Sequence, residues 1–324
     1  MTMLMDAPPA HEPVLDTTIL RVEAKTPLAD DIVALDLARP DGSRLPNWAP
    51  GAHIDIELPG GKRRQYSLCG DRWDAHRYRV AVKREQDGRG GSAYIHDDLR
   101  VGDTVGFGGP RNNFRLAPAA EYLFVAGGIG ITPLLPMMAQ AEMLEVPWRL
   151  LYLVRGAGAA IDLGRWAEHP SVTVHDASTI GRCDLDAWRP SDAGVRAWAC
   201  GPERLLDTVE AWQTPDGGHA ALTERFTAKL SPDAVSRPFE VEARRSGRAT
   251  RVEAGETIAE SLRRAGIDLI TSCGQGLCGT CETDVIDGTP DHRDALLDDA
   301  EREEGKIIFP CVSRCLGDRL VLDI

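Results

Sequence analysis

Three cysteines and three glycines fall within nine residues, "CGQGLCGTC" at 273–281, and two more cysteines follow in "FPCVSRC". Cys273, Cys278 and Cys281 are spaced C-x4-C-x2-C, and 29 residues separate Cys281 from Cys311. Plant-type [2Fe–2S] clusters use this spacing. Two irons need four thiolates, and one tight loop can supply three of them. Such a loop must turn sharply while aiming backbone N–H groups at sulfur, which Gly274, Gly276 and Gly279 permit. The fourth thiolate has to come from another element. Cys311, after the apolar "IIFP", is favoured; Cys315, which runs into the alternating "LGDRLVLDI", is the alternative. Zinc is the rival metal, but zinc sites usually pair two C-x2-4-C knuckles, and only one C-x2-C is present here.

An iron–sulfur centre moves single electrons and makes nothing alone, so the preceding residues should hold the electron source. The stretch "EYLFVAGGIGITPLLPMMAQAEML" (121–144) reads as a buried strand, a glycine turn and a helix. Glycine loops at helix N-termini bind phosphate through backbone N–H groups and the helix dipole. Gly128, Gly130 and Thr132 are the candidates here. Pro133 takes the place of the last glycine of G-x-G-x-x-G, so a tight βα turn without a ligand is the plain alternative. "WRLLYLVRG", "SVTVHD" and "GVRAWACGP" then read as strands with helical segments between them. That alternation predicts a parallel sheet with ligands at the carboxyl ends of its strands, where Arg155, Asp176, Cys200 and Pro202 stand. A carboxylate there suits the ribose 2′-hydroxyl of NADH and would repel the extra phosphate of NADPH, which is the role expected of Asp176.

A nicotinamide donates a hydride, an electron pair, whereas the cluster accepts electrons singly; a flavin can handle both. The front of the chain is the place to seek it. "TTILRVEA", "DIVALDLA", "AHIDIEL" and "RYRVAVKR" alternate between turn residues, which predicts a small closed β-barrel. On "RRQYSL", Arg64 could meet a phosphate, Tyr66 a ring and Ser67 its reactive edge; plain barrel structure is the competing reading. "GRGGSAYIHDDL" adds a glycine loop entering a short helix with Ser92 at its N-cap, a second phosphate cradle.

Bulk properties narrow the class. A net charge of −13 argues against nucleic acid as a partner. Between Glu282 and Glu304 ten carboxylates face two arginines, which reads either as a solvated surface or as a steering patch for a basic protein. The start "MTMLMDAPPA" does not read as a secretion signal, and the longest apolar stretch is broken by two prolines. A cytoplasmic protein without a membrane span is expected. Eight cysteines in that compartment argue against a disulfide framework, and the five gathered in the last 52 residues point to a metal.

The motifs "RQYSL", "AVKREQDGRGGS", "VAGGIGITP", "ACGP" and "CGQGLCGTC…PCVSR", in this order across nearly the whole chain, resemble the phthalate dioxygenase reductases. That family includes the reductase components of vanillate demethylase and related Rieske oxygenase systems. The resemblance implies a ferredoxin-reductase-like barrel binding FMN (1–118), an α/β NADH domain (119–228), a linker (229–238) and a β-grasp ferredoxin domain (239–324). It implies that Arg64, Tyr66, Ser67, Val82 and Lys83 contact the flavin, and that Gly90, Gly91 and Ser92 hold its phosphate. Gly128, Gly130, Thr132, Cys200 and Pro202 would line the nicotinamide nucleotide, with Phe226 over the flavin. Ser67, Cys200 and Phe226 would stand at the reacting rings. Electrons would pass from NADH through FMN and the [2Fe–2S] cluster of Cys273, Cys278, Cys281 and Cys311 to a separate Rieske-type oxygenase. The alternatives are a self-sufficient flavin reductase or oxidase, and a redox sensor using the same cofactors.

Overall fold

The computed structural model describes residues 18–86, 88, 90–213, 221–226, 236–297 and 299–324. Residues 229–235 of the expected linker (229–238) lie outside them. The first sheet comprises β1 (Thr18–Ala29), β2 (Ile32–Ala38), β3 (His53–Leu58), β4 (Lys62–Ser67), β5 (Tyr78–Lys83) and β6 (Thr104–Arg111). Its antiparallel order is β4-β3-β6-β1-β2-β5, and a bridge from Leu68 to Val80 joins the two outer strands into a barrel. Alternate side chains fill it: Leu20, Val22, Leu35, Leu37, Ile54 and Ile56 are fully buried. Helix α1 (Gly91–Asp97) lies beside β4 and β5 and buries Ile95. Its N-cap is Gly90, at φ 82°, so Ser92 sits inside the first turn and not at the cap. The left-handed turn at Gly90 starts the helix two residues earlier than the Ser92 cap implied.

The second sheet is wholly parallel. It contains β7 (Glu121–Gly127), β8 (Trp148–Val154), β9 (Val172–Asp176), β10 (Val195–Cys200) and β11 (Ala221–Glu224), in the order β11-β10-β7-β8-β9. Helices α2 (Leu134–Met143), α3 (Ala177–Ile180) and α4 (Glu203–Glu210) punctuate it. Its central strands are covered on both faces, so β7 reads as a continuous apolar run with Leu123, Phe124 and Val125 fully buried. Strand order reverses between β7 and β10, which opens a crevice at their carboxyl ends. The Trp198 ring meets Tyr122 edge-on at 5.3 Å, and its Nε1 donates to the Arg115 carbonyl at 3.1 Å. That bond ties the sheet to the segment leaving the barrel.

The third sheet follows the order β13-β12-β18-β14-β16. Its strands are β12 (Phe239–Ala243), β13 (Arg248–Val252), β14 (Thr283–Asp287), β16 (Ile307–Ile308) and β18 (Arg319–Leu322). Central strands β12 and β18 run parallel, the mark of a β-grasp. Helix α5 (Ile258–Arg264) opens with a Thr257–Glu260 capping box and buries Ile258 and Leu262. A two-stranded ribbon, β15 (Pro290–Asp291) with β17 (Arg314–Cys315), and α6 (Asp299–Glu304) complete this unit. Among the described residues no helix is long and apolar enough to cross a membrane.

Candidate functional site

The long segment from α5 to β14 carries the cluster loop. Cys273, Cys278, Cys281 and Cys311 are each at most 7% exposed. The Cys278 thiol lies against that of Cys273, and the Cys311 thiol against those of Cys273 and Cys281. Gln275 N donates to Cys273 Sγ at 3.3 Å and Thr280 N to Cys278 Sγ at 3.4 Å. Gly274, Gly276 and Gly279 all have φ between 63° and 75°. A Cβ on Gly276 would lie 2.6 Å from Val312 Cγ2, so the loop packs against the Cys311 segment with no room for a side chain. Four convergent thiols, amide donors to sulfur and a left-handed loop fit a [2Fe–2S] cluster. Cys315 instead pairs with Pro290 in the ribbon, and its Sγ lies 3.3 Å from the Arg319 carbonyl.

Beside this loop opens a cavity of about 1020 Å³, shared by all three units. Arg64, Tyr66 and Ser67 of β4 line it, as do Lys83 of β5, Gly91 and Ser92 of α1, Thr132, and Phe226. Cys273 forms part of its far wall. The Arg64 side chain runs over Gly91, where a Cβ would lie 3.0 Å from its Nε. Arginine, backbone amides and the Ser92 hydroxyl thus meet at one end, a fit for a phosphate. Burial pushes the Tyr66 phenol well above its ordinary range, so its ring enters the site neutral. Val82 points into the barrel core, 1% exposed, while its strand neighbours Ala81 and Lys83 line the cavity. Alternation along β5 accounts for this: any contact from Val82 has to come from its backbone.

Ser67 Oγ donates to Glu224 Oε2 at 3.4 Å. Burial pushes the Glu224 carboxyl up to about 8, with the Ser67 hydroxyl pulling the other way. The end of β11 is held firmly, since Arg225 Nη2 reaches Asp207 at 2.9 Å and Glu210 at 2.7 Å on α4. Sequence reasoning missed Glu224. The signal available was its place at the carboxyl end of a parallel strand, but β11 itself went unread.

At the switch point the loops after β7 and β10 touch. A Cβ on Gly130 would lie 2.2 Å from the Cys200 carbonyl oxygen, and one on Gly127 would lie 2.5 Å from Pro202 Cδ. Gly128 takes φ 54° at the start of this turn. Thr132 is 2% exposed, and its hydroxyl donates to the Ile129 carbonyl at 3.0 Å. Cys200 is fully buried, and burial, then the neighbouring Glu224, keeps its thiol protonated. Arg155 is exposed after β8. Asp176 caps α3: its Oδ1 accepts from Ser178 N at 2.9 Å and Gly156 N at 2.8 Å. The bonds from Ser178 and then Gly156 hold its carboxyl below the usual carboxylate range. The acidic stretch divides. Asp294 is 4% exposed and accepts from the amides of Leu296 and Leu297, whereas Asp287, Glu301 and Glu303 are exposed. Asp298 lies outside the described residues.

Comparisons agree with this layout. The family described as "2Fe-2S iron-sulfur cluster binding domain" matches residues 241–316, and "Oxidoreductase FAD-binding domain" matches 19–116. A phenoxybenzoate dioxygenase subunit beta from Ectopseudomonas oleovorans is 40% identical, over 94% of this chain and 97% of that one. A phthalate dioxygenase reductase, solved as a modular structure for electron transfer from pyridine nucleotides to [2Fe-2S], superposes with a TM-score of 0.69. It is 36% identical over 94% of this chain and 97% of its own. A self-sufficient type IV cytochrome P450 monooxygenase reaches a TM-score of 0.86 at 37% identity, with 95% of this chain covering 41% of that longer one. With barrel, parallel sheet and β-grasp in that order around one cavity, this electron-transfer oxidoreductase, built for a flavin, a pyridine nucleotide and a [2Fe–2S] cluster, belongs to the phthalate dioxygenase reductase family.

Proposed function

We propose that this protein takes hydride from NADH and passes electrons singly, through FMN and the cluster, to a separate Rieske-type oxygenase. The observation that carries this reading is the single cavity on which Ser67, Glu224 and the cluster ligand Cys273 all converge. A flavin bound there accepts an electron pair and releases electrons one at a time. Arg64, Gly91 and Ser92 make one phosphate cradle, which suits the monophosphate of FMN. Gly90 and Lys83 would flank it, and Tyr66 and Phe226 would pack against the ring system. Ser67 stands at the reactive edge, joined to a Glu224 that holds a proton near neutrality. Gly128, Gly130, Thr132, Cys200 and Pro202 would seat the nicotinamide half. Asp176 and Arg155 would meet the adenosine half, with Asp176 favouring NADH. The metal ligands would be Cys273, Cys278, Cys281 and Cys311.

The oxygenase as partner is supported by relatives that are reductase subunits of such systems, among them vanillate O-demethylase oxidoreductase. Exposed Asp287, Glu301 and Glu303 offer such a partner an acidic face. None of the eight cysteines is paired in a disulfide, which suits the reducing cytoplasm. The domain division we propose is 1–118, 119–228 and 239–324. The deciding experiment is an absorption spectrum of the purified protein, with release of the flavin by heat for mass measurement and assay of iron and sulfide. FMN with two irons per chain is expected; FAD, or zinc in place of iron, would overturn the respective assignment.

A further inference from the structure

Along β3, Ile54 and Ile56 point into the barrel, so His53 and Asp55 point outward. Outward positions on a barrel strand are normally wet, yet His53 is 5% exposed and Asp55 3%. Asp55 is met by the cluster loop of the ferredoxin unit, while His53 lines the cavity. Ser272, the residue before Cys273, donates its hydroxyl to Asp55 Oδ2 at 2.5 Å. Asp55 Oδ1 in turn accepts from Arg111 Nη2 at 2.7 Å and from Gln65 Nε2 at 3.1 Å. The carboxylate is therefore braced from β6 and β4 before it reaches the loop. Pairing of β3 with β6 shifts register between His53 and Asp55, a bulge of the kind that re-aims a side chain. A second approach lies nearby: a Cβ on Gly279 would sit 3.8 Å from Asn113 Nδ2, from the segment after β6.

We infer that Asp55 is a positioning residue that pins the cluster loop to the flavin barrel through Ser272, keeping Cys273 on the cavity wall. The inference rests on the electron path proposed above and adds the element that sets its geometry. Hydrogen bonds to a buried carboxylate are about twice as strong as neutral ones, so losing this one should shift the docked population measurably.

The test compares full-length protein with Ser272→Ala, Ser272→Thr and Asp55→Asn. Hydrogen exchange is followed in the peptide spanning 269–281, iron content is assayed, and NADH-driven bleaching of flavin and of cluster is followed separately by stopped flow. In Ser272→Ala, iron content and flavin bleaching should match wild type. Exchange in the loop should rise about tenfold, as expected for losing one charge-assisted bond. Cluster bleaching should slow by a similar factor. Ser272→Thr, which keeps the hydroxyl, should restore both, and Asp55→Asn should loosen the same peptide. Wild-type exchange in both Ser272→Ala and Asp55→Asn overturns the tie, as does loss of iron from Ser272→Ala, which would make Ser272 part of the cluster's own support. The exchange measurement needs no NADH. If the wild-type cluster is not reduced by NADH, the electron path fails while exchange still decides the role of Asp55.

Discussion

Ser67 and Glu224 stand 157 positions apart in sequence and 3.4 Å apart across the cavity. Their contact gives the site a hydroxyl and a protonated carboxyl at one edge. Ser67→Ala should therefore slow hydride transfer by on the order of tenfold, through loss of orientation, with little flavin lost. Stopped-flow flavin reduction set against flavin content separates the two effects; equal loss of both makes Ser67 structural. Glu224 also carries a pH signature. Its folded value of about 8 exceeds the ordinary 4.5, so on raising the pH the unfolded chain ionises first. The stability this group contributes is fully present below about 4.5 and is gone above about 8. Glu224→Gln does not titrate, so its melting temperature should gain on wild type as pH rises through that window. Parallel curves would refute the assignment. Ser67 was singled out in "RQYSL" as a candidate against plain barrel structure, and it lines the cavity beside Glu224. Glu224 was not, since its role depends on a partner from another sheet.

Two elements meet at the switch point with no space to spare. Gly130→Ala would push a methyl carbon against the Cys200 carbonyl, backbone on backbone, where no side chain can swing away. Overpacking of this kind costs about 1–3 kcal/mol. A lower melting temperature and weaker NADH binding should appear together, and an unchanged NADH affinity would show that the two loops do not form the seat. Asp176 works at the same scale, because it caps α3 and braces Gly156. Asp176→Ala should loosen the first turn of α3 and narrow the preference for NADH over NADPH. Kinetics with both nucleotides measure this, and an unaltered ratio leaves only the cap. Strands β7, β8 and β10 were legible as largely apolar runs ending near glycine, whereas β11 went unread. Strand order was not legible, because a β7–β10 neighbourhood follows from crossover handedness and helix placement, which no local pattern encodes. The start of α1 was misjudged because the left-handed turn at Gly90 begins the helix without a side-chain cap.

Across the whole molecule, what the sequence could not reveal is how the three sheets face one another. Asp55 looks like an ordinary outward residue of an alternating strand, and no local pattern encodes its contact with Ser272 of the ferredoxin unit. The cluster motif, by contrast, is local. Its spacing and glycines specify the loop, and Cys311 joins it where Gly276 packs on Val312. This separation of local cluster from distributed flavin site permits a decisive test of the electron path. Cys278 touches Cys273 and sits 3% exposed, so Cys278→Ser replaces one proposed cluster ligand without opening the core. Nothing in the flavin cavity is lined by Cys278, so flavin reduction by NADH should proceed as in wild type. Ferricyanide, a small acceptor able to reach the flavin directly, should still be reduced. Turnover coupled to a Rieske-type oxygenase should fall to background, since its electrons have to leave through the missing cluster. Coupled turnover that survives in protein shown by iron assay to lack the cluster would place the exit at the flavin itself, and the relay would be wrong.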